Sequence, residues 1–432
     1  MLLRLVVDAG YSLRLCLRPS PTLAAENLFL HNQLVFRPLD TEEWTMGRQL
    51  HVGFIGLGYR ARELVQCFLQ YGSEIRIVAG ADPNTLVFKL FEKTVGTPIG
   101  CYTDCQRMLR HPDVDVIVVA TPDHLHREHT ILALQAGKHV YLEKPMAINR
   151  IDADAILDAA CRSNRLLYVG HNLRHTTFLK TMKELIASGA IGDVKSVWCR
   201  HFISYGGDAY FKNWHAEQRF VNSLLVQKGV HDIDAIHWLA GSYSECVSAF
   251  GDISVYGRGD EHSEQSYDPD VDTNFRTEHW PPKSLKPLNP RRNIEDNIIV
   301  NLRLQNGALC TYMQNHFAPD AWRNYTVIGT EGRIENFGDM KSHAKIYVWT
   351  TRHNTYGDPT SIIDLPLIDE GRFHGHADYH CVAECLNQIL FNQAPTIHIY
   401  DAYNAVLAAD AGTQSMRTNG SPQSIDPITP FP

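Results

Sequence analysis

Short apolar strands alternate with amphipathic helices between residues 50 and 171, and this alternation constrains the fold more than any other feature of the chain. The segment 114–120 is typical of a buried strand with helices on both faces of its sheet. The order predicts a doubly wound parallel sheet with right-handed crossovers. The predicted strands are 50–55, 75–79, one near 101, 114–120, 139–142 and 166–169, and the predicted helices include 64–69, 86–94, 131–135 and 153–163.

A glycine-rich turn follows the first predicted strand. Gly56-x-Gly58-x-x-Ala61 fits the G-x-G-x-x-G/A pattern of dinucleotide-binding turns, in which glycines allow the backbone to approach a pyrophosphate. Asp82 stands at the end of the second strand, where a carboxylate accepts ribose hydroxyls and repels a 2′-phosphate. We therefore expect NAD as cofactor, in preference to NADP.

Four motifs go beyond a generic dinucleotide fold. They are Ala-Thr-Pro-Asp-His-Leu-His at 120–126, Ala-Gly-Lys-His-Val-Tyr-Leu-Glu-Lys-Pro at 136–145, Gly-His-Asn-Leu-Arg at 170–174 and Gly-Val-His-Asp-Ile-Asp at 229–234. Together they closely resemble the glucose–fructose oxidoreductase/inositol dehydrogenase/rhizopine-catabolism family, usually written Gfo/Idh/MocA. The resemblance continues at 329–334 and so covers nearly everything after Met46.

The resemblance implies an α/β protein with two domains. Residues 46–171 would form the NAD-binding Rossmann domain, and residues 172–432 would form an α/β domain with a large open, mostly antiparallel sheet. Such a sheet commonly mediates oligomerisation, so we expect a homodimer or homotetramer. The predicted cofactor-binding residues are Gly56, Gly58, Tyr59, Arg60, Asp82, Thr121, Pro122, His126, Glu143 and Lys144.

Two residues are predicted to carry the proton chemistry. Lys144 follows a strand at its carboxyl end, where ligands bind in open α/β sheets, and the matching family lysine contacts the reacting hydroxyl. His231 is the second candidate, because imidazole titrates near neutrality. Many family members carry an acidic residue four positions before this histidine, whereas this chain has Gln227. This difference favours Lys144 as the base or proton donor.

Polar and aromatic residues around these two would form a pocket for a sugar. The run 210–215, Tyr-Phe-Lys-Asn-Trp-His, suits stacking on a sugar ring or, equally, packing of a loop on the sheet. The cluster at His124, His126 and His129 lacks acidic or cysteine partners at metal-site spacing, so no metal is expected. The predicted substrate-binding residues are Asn172, Arg174, Trp214, His215, Gln227, Asp234 and His374.

Three functions remain open at this point. The first is an NAD(H)-dependent oxidoreductase of a sugar, polyol or related carbohydrate derivative. The second is an NAD-dependent glycosidase that oxidises its sugar transiently, since residues 210–215 and 224–231 also resemble that branch. The third is a non-catalytic protein that senses NAD or sugar, which Gln227 keeps open. Lys144 and His231 favour an enzyme.

Composition excludes several other classes. The formal net charge of −8 argues against a nucleic-acid partner, which usually needs a basic surplus. No apolar stretch approaches the roughly 18 residues of a membrane-spanning helix. The ten cysteines include no C-x-x-C pair, so we expect reduced thiols in a cytoplasmic protein. Residues 1–45 lack a clear period and are expected to be a poorly ordered extension or to precede the true start at Met46.

Overall fold

The chain folds around two sheets. The computed structural model describes residues 49–260, 262–264, 282, 287–339, 343–352, 355–366 and 376–428. The predicted extension 1–45, the predicted pocket residue His374 and most of a polar stretch at 258–292 lie outside the described residues.

The first sheet confirms the doubly wound prediction. It has six parallel strands in the order β3-β2-β1-β4-β5-β6, with the topological switch between β1 and β4. All residues of β4 and β5 are buried, because helices cover both faces. The strands are β1 Leu50–Ile55, β2 Ile75–Ala81, β3 Gly100–Tyr102, β4 Val116–Val119, β5 His139–Leu142 and β6 Leu167–Val169.

The helices of this part agree with the predicted periodicity, although several begin earlier than predicted. A helix predicted around 131–135 begins at His126, because the motif residues before it carry no apolar period. The helices are α1 Tyr59–Tyr71, α2 Phe88–Val95, α3 Cys105–Leu109, α4 His126–Gln135 and α5 Arg150–Ser163.

The second sheet has nine strands in the order β14-β13-β12-β11-β7-β10-β9-β8-β15. Among the described strands of this sheet only the central pair β7 and β10 is parallel, so the sheet is mostly antiparallel as expected. The strands are β7 Val194–Phe202, β8 Ser244–Asp252, β9 Asn297–Leu304, β10 Leu309–Asn315, β11 Trp322–Gly329, β12 Arg333–Phe337, β13 Lys345–Trp349, β14 Ser361–Asp364 and β15 Gln423–Ser424.

Helices cover one face of this sheet. Strand β9 alternates buried and exposed residues along its length, which is the period-2 pattern of a sheet with one free face. The helices of this half of the chain are α6 Thr177–Ala187, α7 Gly206–Tyr210, α8 Gln218–Val221, α9 Val230–Ala240, α10 Ala377–Phe391 and α11 Ile399–Arg417.

Helix α10 belongs to the core of the first sheet although it lies late in the chain. Its buried Cys381, Val382 and Leu386 pack in one cluster with residues of β1 and α1. The position of α10 in the sequence does not predict that it packs on the first sheet, because an apolar helix face can pack against many surfaces. The two halves of the chain are therefore joined through a shared core as well as through the connection near residue 171.

Within the described part of the chain, no helix combines the length and apolar character needed to cross a lipid bilayer.

Candidate active site

The glycine-rich turn between β1 and α1 forms a cradle for a diphosphate. Gly56 has φ +82°, and a Cβ there would lie 2.7 Å from the Ala120 carbonyl oxygen, so only glycine fits without strain. Gly58 is the N-cap of α1, with no side-chain cap and no atom within 4 Å of the position of a Cβ. The first amides of α1 thus have no side-chain cap, which suits an anionic ligand at a helix N-terminus.

Asp82 lies beside this turn. Its carboxylate accepts hydrogen bonds from the backbone N–H of Leu57 at 2.9 Å and of Asn84 at 2.8 Å. The side chain is therefore fixed between the glycine turn and the end of β2, in the place where a dinucleotide fold binds the adenosine ribose. The turn and this carboxylate together fit NAD, which supplies a hydride acceptor when it is bound. Tyr59, which directly follows the glycine turn at the start of α1, is 56% exposed.

Two loops meet at the carboxyl ends of β4 and β5. His126 joins them, since its Nδ1 lies 2.7 Å from the Pro145 carbonyl oxygen and its Nε2 lies 3.0 Å from the Thr121 carbonyl oxygen. Burial lowers the pKa of His126 to about 4, so the ring is neutral. Both ring nitrogens thus lie against main-chain oxygens, of which a neutral ring can donate to one, and the contact of His126 with the cofactor stays a prediction. Thr121, Pro122 and the cis Lys144–Pro145 bond sit on the joined loops.

Lys144 occupies the centre of the site. Its Nζ donates a hydrogen bond to the backbone carbonyl of Gln227 at 3.0 Å, which links the two domains. Burial lowers the pKa of the Lys144 amine, against the opposing charges of Asp123 and Glu143. A lysine with a lowered pKa serves as a base nearer neutral pH. Gln227 thus orients the lysine through its main chain, whatever its side chain does.

His231 approaches from the second domain. It lies in α9 directly after a π-helical turn, Leu225–Gly229, and π-turns occur frequently at functional sites. Burial, followed by the charge of Lys144, holds the pKa of His231 well below its usual range. The imidazole is therefore neutral at pH 7. Its ring makes an edge contact with the ring of His171, at 5.7 Å between centroids.

Several buried polar atoms of this cleft have no hydrogen-bond partner among the described residues. Buried polar groups are nearly always paired, so an orphaned cluster marks a place that a ligand or water fills. The atoms are Asp123 Oδ2, His171 Nδ1 and Nε2, Asn172 Oδ1, Gln227 Oε1 and His231 Nδ1.

Arg174 and Asp234, both predicted to bind substrate, form an ion pair with each other. Both are buried, and Arg174 donates to the two carboxylate oxygens of Asp234 at 2.9 and 2.6 Å. The guanidinium also contacts Asp401 at 3.1 Å. Because these charges satisfy one another, they hold α9 and α11 together and do not present a free charge to a substrate.

Arg60 and Glu143 form a second such network. Arg60 donates to Glu143 at 2.8 Å and makes a two-pronged contact with Asp378 of α10 at 2.8 and 2.6 Å. The Glu143 Oε2 atom accepts from the backbone N–H of Lys144 at 3.2 Å. Both were predicted to bind the cofactor. That role stays a prediction, and in the structure their charges anchor the lysine loop and the glycine-turn helix to α10.

The remaining predicted pocket residues lie around this centre. Asn172 donates to Asp378 at 2.7 Å and leaves its own oxygen unpaired. Trp214 stacks on His215 with 3.7 Å between ring centroids. Burial, followed by the charge of Lys144, lowers the pKa of His215 to about 3, which places this neutral ring within the field of the lysine.

Sequence reasoning missed Asp123 and His171 as site residues. Asp123 and His171 follow β4 and β6 at the edge where Lys144 follows β5, so strand ends alone could have indicated them. Tyr210 ends α7 and is buried against His215 and His316, and only the tertiary structure brings it there.

Comparison with known proteins agrees with this architecture. Residues 50–171 match the description "Oxidoreductase family, NAD-binding Rossmann fold", and residues 183–424 match "Oxidoreductase family, C-terminal alpha/beta domain". The chain therefore belongs to the Gfo/Idh/MocA oxidoreductase family, and it contains the NAD-binding domain of that family.

Individual relatives are more distant. The putative oxidoreductase YteT of Bacillus subtilis is 28% identical over 66% of this chain and 76% of its own length. The 1,5-anhydro-D-fructose reductase of Ensifer adhaerens is 24% identical over 65% of this chain and 74% of its own length. A solved levoglucosan dehydrogenase, in complex with NADH and L-sorbose, has a TM-score of 0.73 at 21% identity and covers 88% of this chain and 100% of its own. This last likeness concerns the fold.

Proposed function

We propose that the protein is an NAD-dependent dehydrogenase that interconverts a hydroxyl and a carbonyl group of a sugar, polyol or related carbohydrate derivative. One observation carries the proposal: a lysine of lowered pKa reaches the main chain of the π-helical turn directly before a neutral buried histidine, and its charge acts on that histidine. The relatives named 1,5-anhydro-D-fructose reductase and levoglucosan dehydrogenase, at 24% and 28% sequence identity, support the substrate class.

The proposed roles follow from these contacts. Lys144, held by the Gln227 carbonyl, takes the hydroxyl proton of the substrate at Nζ during oxidation and returns it during reduction. The neutral His231 hydrogen-bonds the same oxygen and fixes it next to the lysine. Trp214 and His215 form a stacked pair that a sugar ring can pack against, while Asn172 offers its unpaired oxygen to a substrate hydroxyl.

A substrate panel with a matched variant tests this function. Purified protein with NAD is screened against sugars, polyols and glycosides, following NADH absorbance and glycoside release together. Lys144→Ala should lose at least about 10²-fold in kcat, the lower end of a general-base contribution, while NADH binding stays within about twofold. Full activity of this variant would defeat the assignment. Glycoside release without net NADH would favour the glycosidase function instead.

The cofactor preference is tested separately. The proposal of NAD over NADP rests on Asp82, whose carboxylate is fixed beside the turn by two backbone N–H groups. A 2′-phosphate at this place would meet that negative charge. We expect kcat/KM with NAD to be at least about tenfold higher than kcat/KM with NADP. Asp82→Ser should bring these two kcat/KM values closer together. Equal use of both cofactors by the unaltered protein would contradict the preference.

We further propose a homo-oligomer formed through the open face of the nine-stranded sheet. Large apolar side chains project from that face, and Arg200 lies over Trp198 and Trp322, which are residue types enriched in interface cores. The exposed apolar residues on its strands are Trp198, Phe250, Ile299, Leu309, Ile328 and Ile362.

Light scattering tests the assembly. Ile299→Glu places a charge within this face and should reduce the measured mass to that of a monomer. Ile151→Glu is the matched control, because Ile151 is 75% exposed in the first turn of α5, where a glutamate is well tolerated. A single mass for both variants and the unaltered protein would contradict this interface.

We place the protein in the cytoplasm. All nine cysteines among the described residues are free thiols, as is usual in a reducing compartment. Fractionation of the native cells tests this location.

A further inference from the structure

The backbone bends sharply at Asn222, directly after α8 and before the π-helical turn. Its φ of +64° and ψ of −65°, with a hydrogen bond from the Ser223 N–H to the Val221 carbonyl oxygen at 2.8 Å, define a γ-turn of the rare, strained kind. Asn164 and Asn392 also have positive φ values, but both end helices in the ordinary left-handed conformation. Strained residues persist where their surroundings hold them, and they cluster at functional sites, so the contacts of Asn222 indicate its role.

Hydrogen bonds use every polar group of Asn222. Its Nδ2 atom donates to the carbonyl oxygen of Ile148 and to Oδ1 of Asp410, both at 2.9 Å. Its Oδ1 atom and its carbonyl oxygen accept from the Arg417 guanidinium at 2.9 and 2.6 Å. Its backbone N–H donates to the Gln218 carbonyl oxygen at 2.7 Å. These partners fix the orientation of the amide, since only its nitrogen can donate to two oxygens.

The contact with Ile148 links Asn222 to the loop that contains Lys144. Lys144 Nζ donates to the Gln227 carbonyl oxygen at 3.0 Å, and the Asn222 amide donates to the Ile148 carbonyl oxygen further along the same loop. The segments 144–148 and 222–227 are therefore joined at both ends. Because each segment is short, the hydrogen bond at one end constrains the position of the hydrogen bond at the other end.

Helix α11 holds both segments in place. Asp410 of this helix accepts from Asn222 with Oδ1 and from the backbone N–H of Arg150 with Oδ2 at 3.1 Å. A single carboxylate thus binds both the γ-turn and the end of the loop that contains the lysine. The residue after the γ-turn, Ser223, is buried, and its hydroxyl lies 2.6 Å from the hydroxyl of Thr413 in the same helix. The π-helical turn therefore begins from a fixed point.

We propose that Asn222 is a positioning residue of the reaction. It holds the Gln227 carbonyl oxygen against Lys144 Nζ, and so fixes the lysine where the amine takes the proton of the substrate hydroxyl. A main-chain carbonyl has this part in a chain whose residue 227 carries no acidic side chain. The inference rests on the proposed function for the role of Lys144, but the hydrogen bonds of Asn222 do not depend on it.

Loss of this positioning should lower turnover more than substrate binding. A misplacement of about 1 Å can cost about 10²-fold in rate, because proton transfer needs a short and aligned contact. The residues proposed to contact the sugar ring, Trp214 and His215, stack on each other and make no listed contact with the γ-turn. We therefore expect KM to change little when the side chain of Asn222 is removed.

Asn222→Gly separates positioning from folding. Glycine adopts a φ of +64° without strain, so it keeps the bend but loses the hydrogen bonds to Ile148 and Asp410. We expect kcat to fall at least about tenfold and KM to stay within about threefold. The melting temperature should stay within about 3 °C, because relief of strain offsets the lost hydrogen bonds. Asn164→Gly, the same change at the exposed end of α5, is the matched control and should alter none of these values.

The hold on the lysine is measured without substrate. Acetylation with acetic anhydride, followed by mass spectrometry, gives the labelling rate at Lys144 in the cofactor-free protein. We expect this rate to rise at least about threefold in Asn222→Gly, since the Gln227 carbonyl oxygen no longer holds the amine in place. Asn164→Gly should keep the original rate.

Each outcome decides the proposal. A kcat and a Lys144 labelling rate equal to those of Asn164→Gly would overturn it. A loss of activity that appears only with a matching fall in melting temperature would also overturn it, since that result shows a purely structural role. If the glycine variant does not fold, Asn222→Asp is measured instead, because it keeps the shape but cannot donate to Ile148, and the same loss of kcat is expected. If the unaltered protein oxidises no sugar, the proposed function fails, while the labelling rates still decide whether Asn222 holds Lys144.

Discussion

Substitution of Asp234 by Asn separates a structural role from a substrate-binding role. The two carboxylate oxygens of Asp234 accept hydrogen bonds from the Arg174 guanidinium at 2.9 and 2.6 Å, and each side chain is at most 2% exposed. Removing one partner of a buried ion pair typically costs about 3–5 kcal/mol, because the other charge stays buried and uncompensated. In the variant, Arg174 would still donate hydrogen bonds to Asp401 and to the Thr396 carbonyl oxygen, both at 3.1 Å. We therefore expect a loss of stability of about 3 kcal/mol, the lower end of this range.

Thermal unfolding measures this loss. For a domain of 150–250 residues, each kcal/mol corresponds to about 2–4 °C, so Asp234→Asn should unfold about 6–12 °C earlier than the unaltered protein. The matched control is Asp158→Asn, which breaks the exposed Arg162–Asp158 pair at 2.8 Å. A surface pair contributes about 0–1 kcal/mol, so this control should shift the transition by no more than a few degrees.

The KM of Asp234→Asn for its substrate distinguishes the structural role from the substrate-binding role. If Asp234 holds the protein together, the folded variant keeps a KM within about threefold of the original, measured with any sugar that the panel identifies. An unfolding temperature equal to that of the control, together with a large rise in KM, would refute the structural role. It would restore the role in substrate binding that the sequence predicted.

Two further predictions concern the nucleotide cradle and acid stability. Gly56→Ala should weaken NADH binding at least about tenfold by fluorescence titration, because a Cβ at φ +82° would lie 2.7 Å from a backbone oxygen. Gly96→Ala, at φ +85° with open space, is the control, and equal affinities would contradict the reasoning. Burial lowers the pKa values of His126, His139 and His237 to about 4, against about 6.5 in the unfolded chain. The unfolded state therefore binds more protons between pH 6.5 and 4, and the urea midpoint should fall from pH 7.5 to pH 5.5, whereas a constant midpoint would contradict this sign.

The sequence by itself determined the local parts of this protein. Strands β1 and β5 lie at the predicted residues, since a buried apolar strand and its flanking turn are encoded within a few neighbouring positions. The glycine turn at 56–58 and the placement of Lys144 after β5 follow in the same way, because the carboxyl ends of parallel strands define the binding edge. The family motifs added the second, mostly antiparallel sheet.

Only the tertiary structure decided which charged residues are left for a ligand. Arg60 meets Asp378 across 318 positions of sequence, and Arg174 meets Asp401 across 227. No local pattern indicates such partners, so the sequence predicted ligand roles for these arginines but could not predict the carboxylates that pair with them. Burial likewise depends on distant elements, and it is burial that lowers the pKa of Lys144.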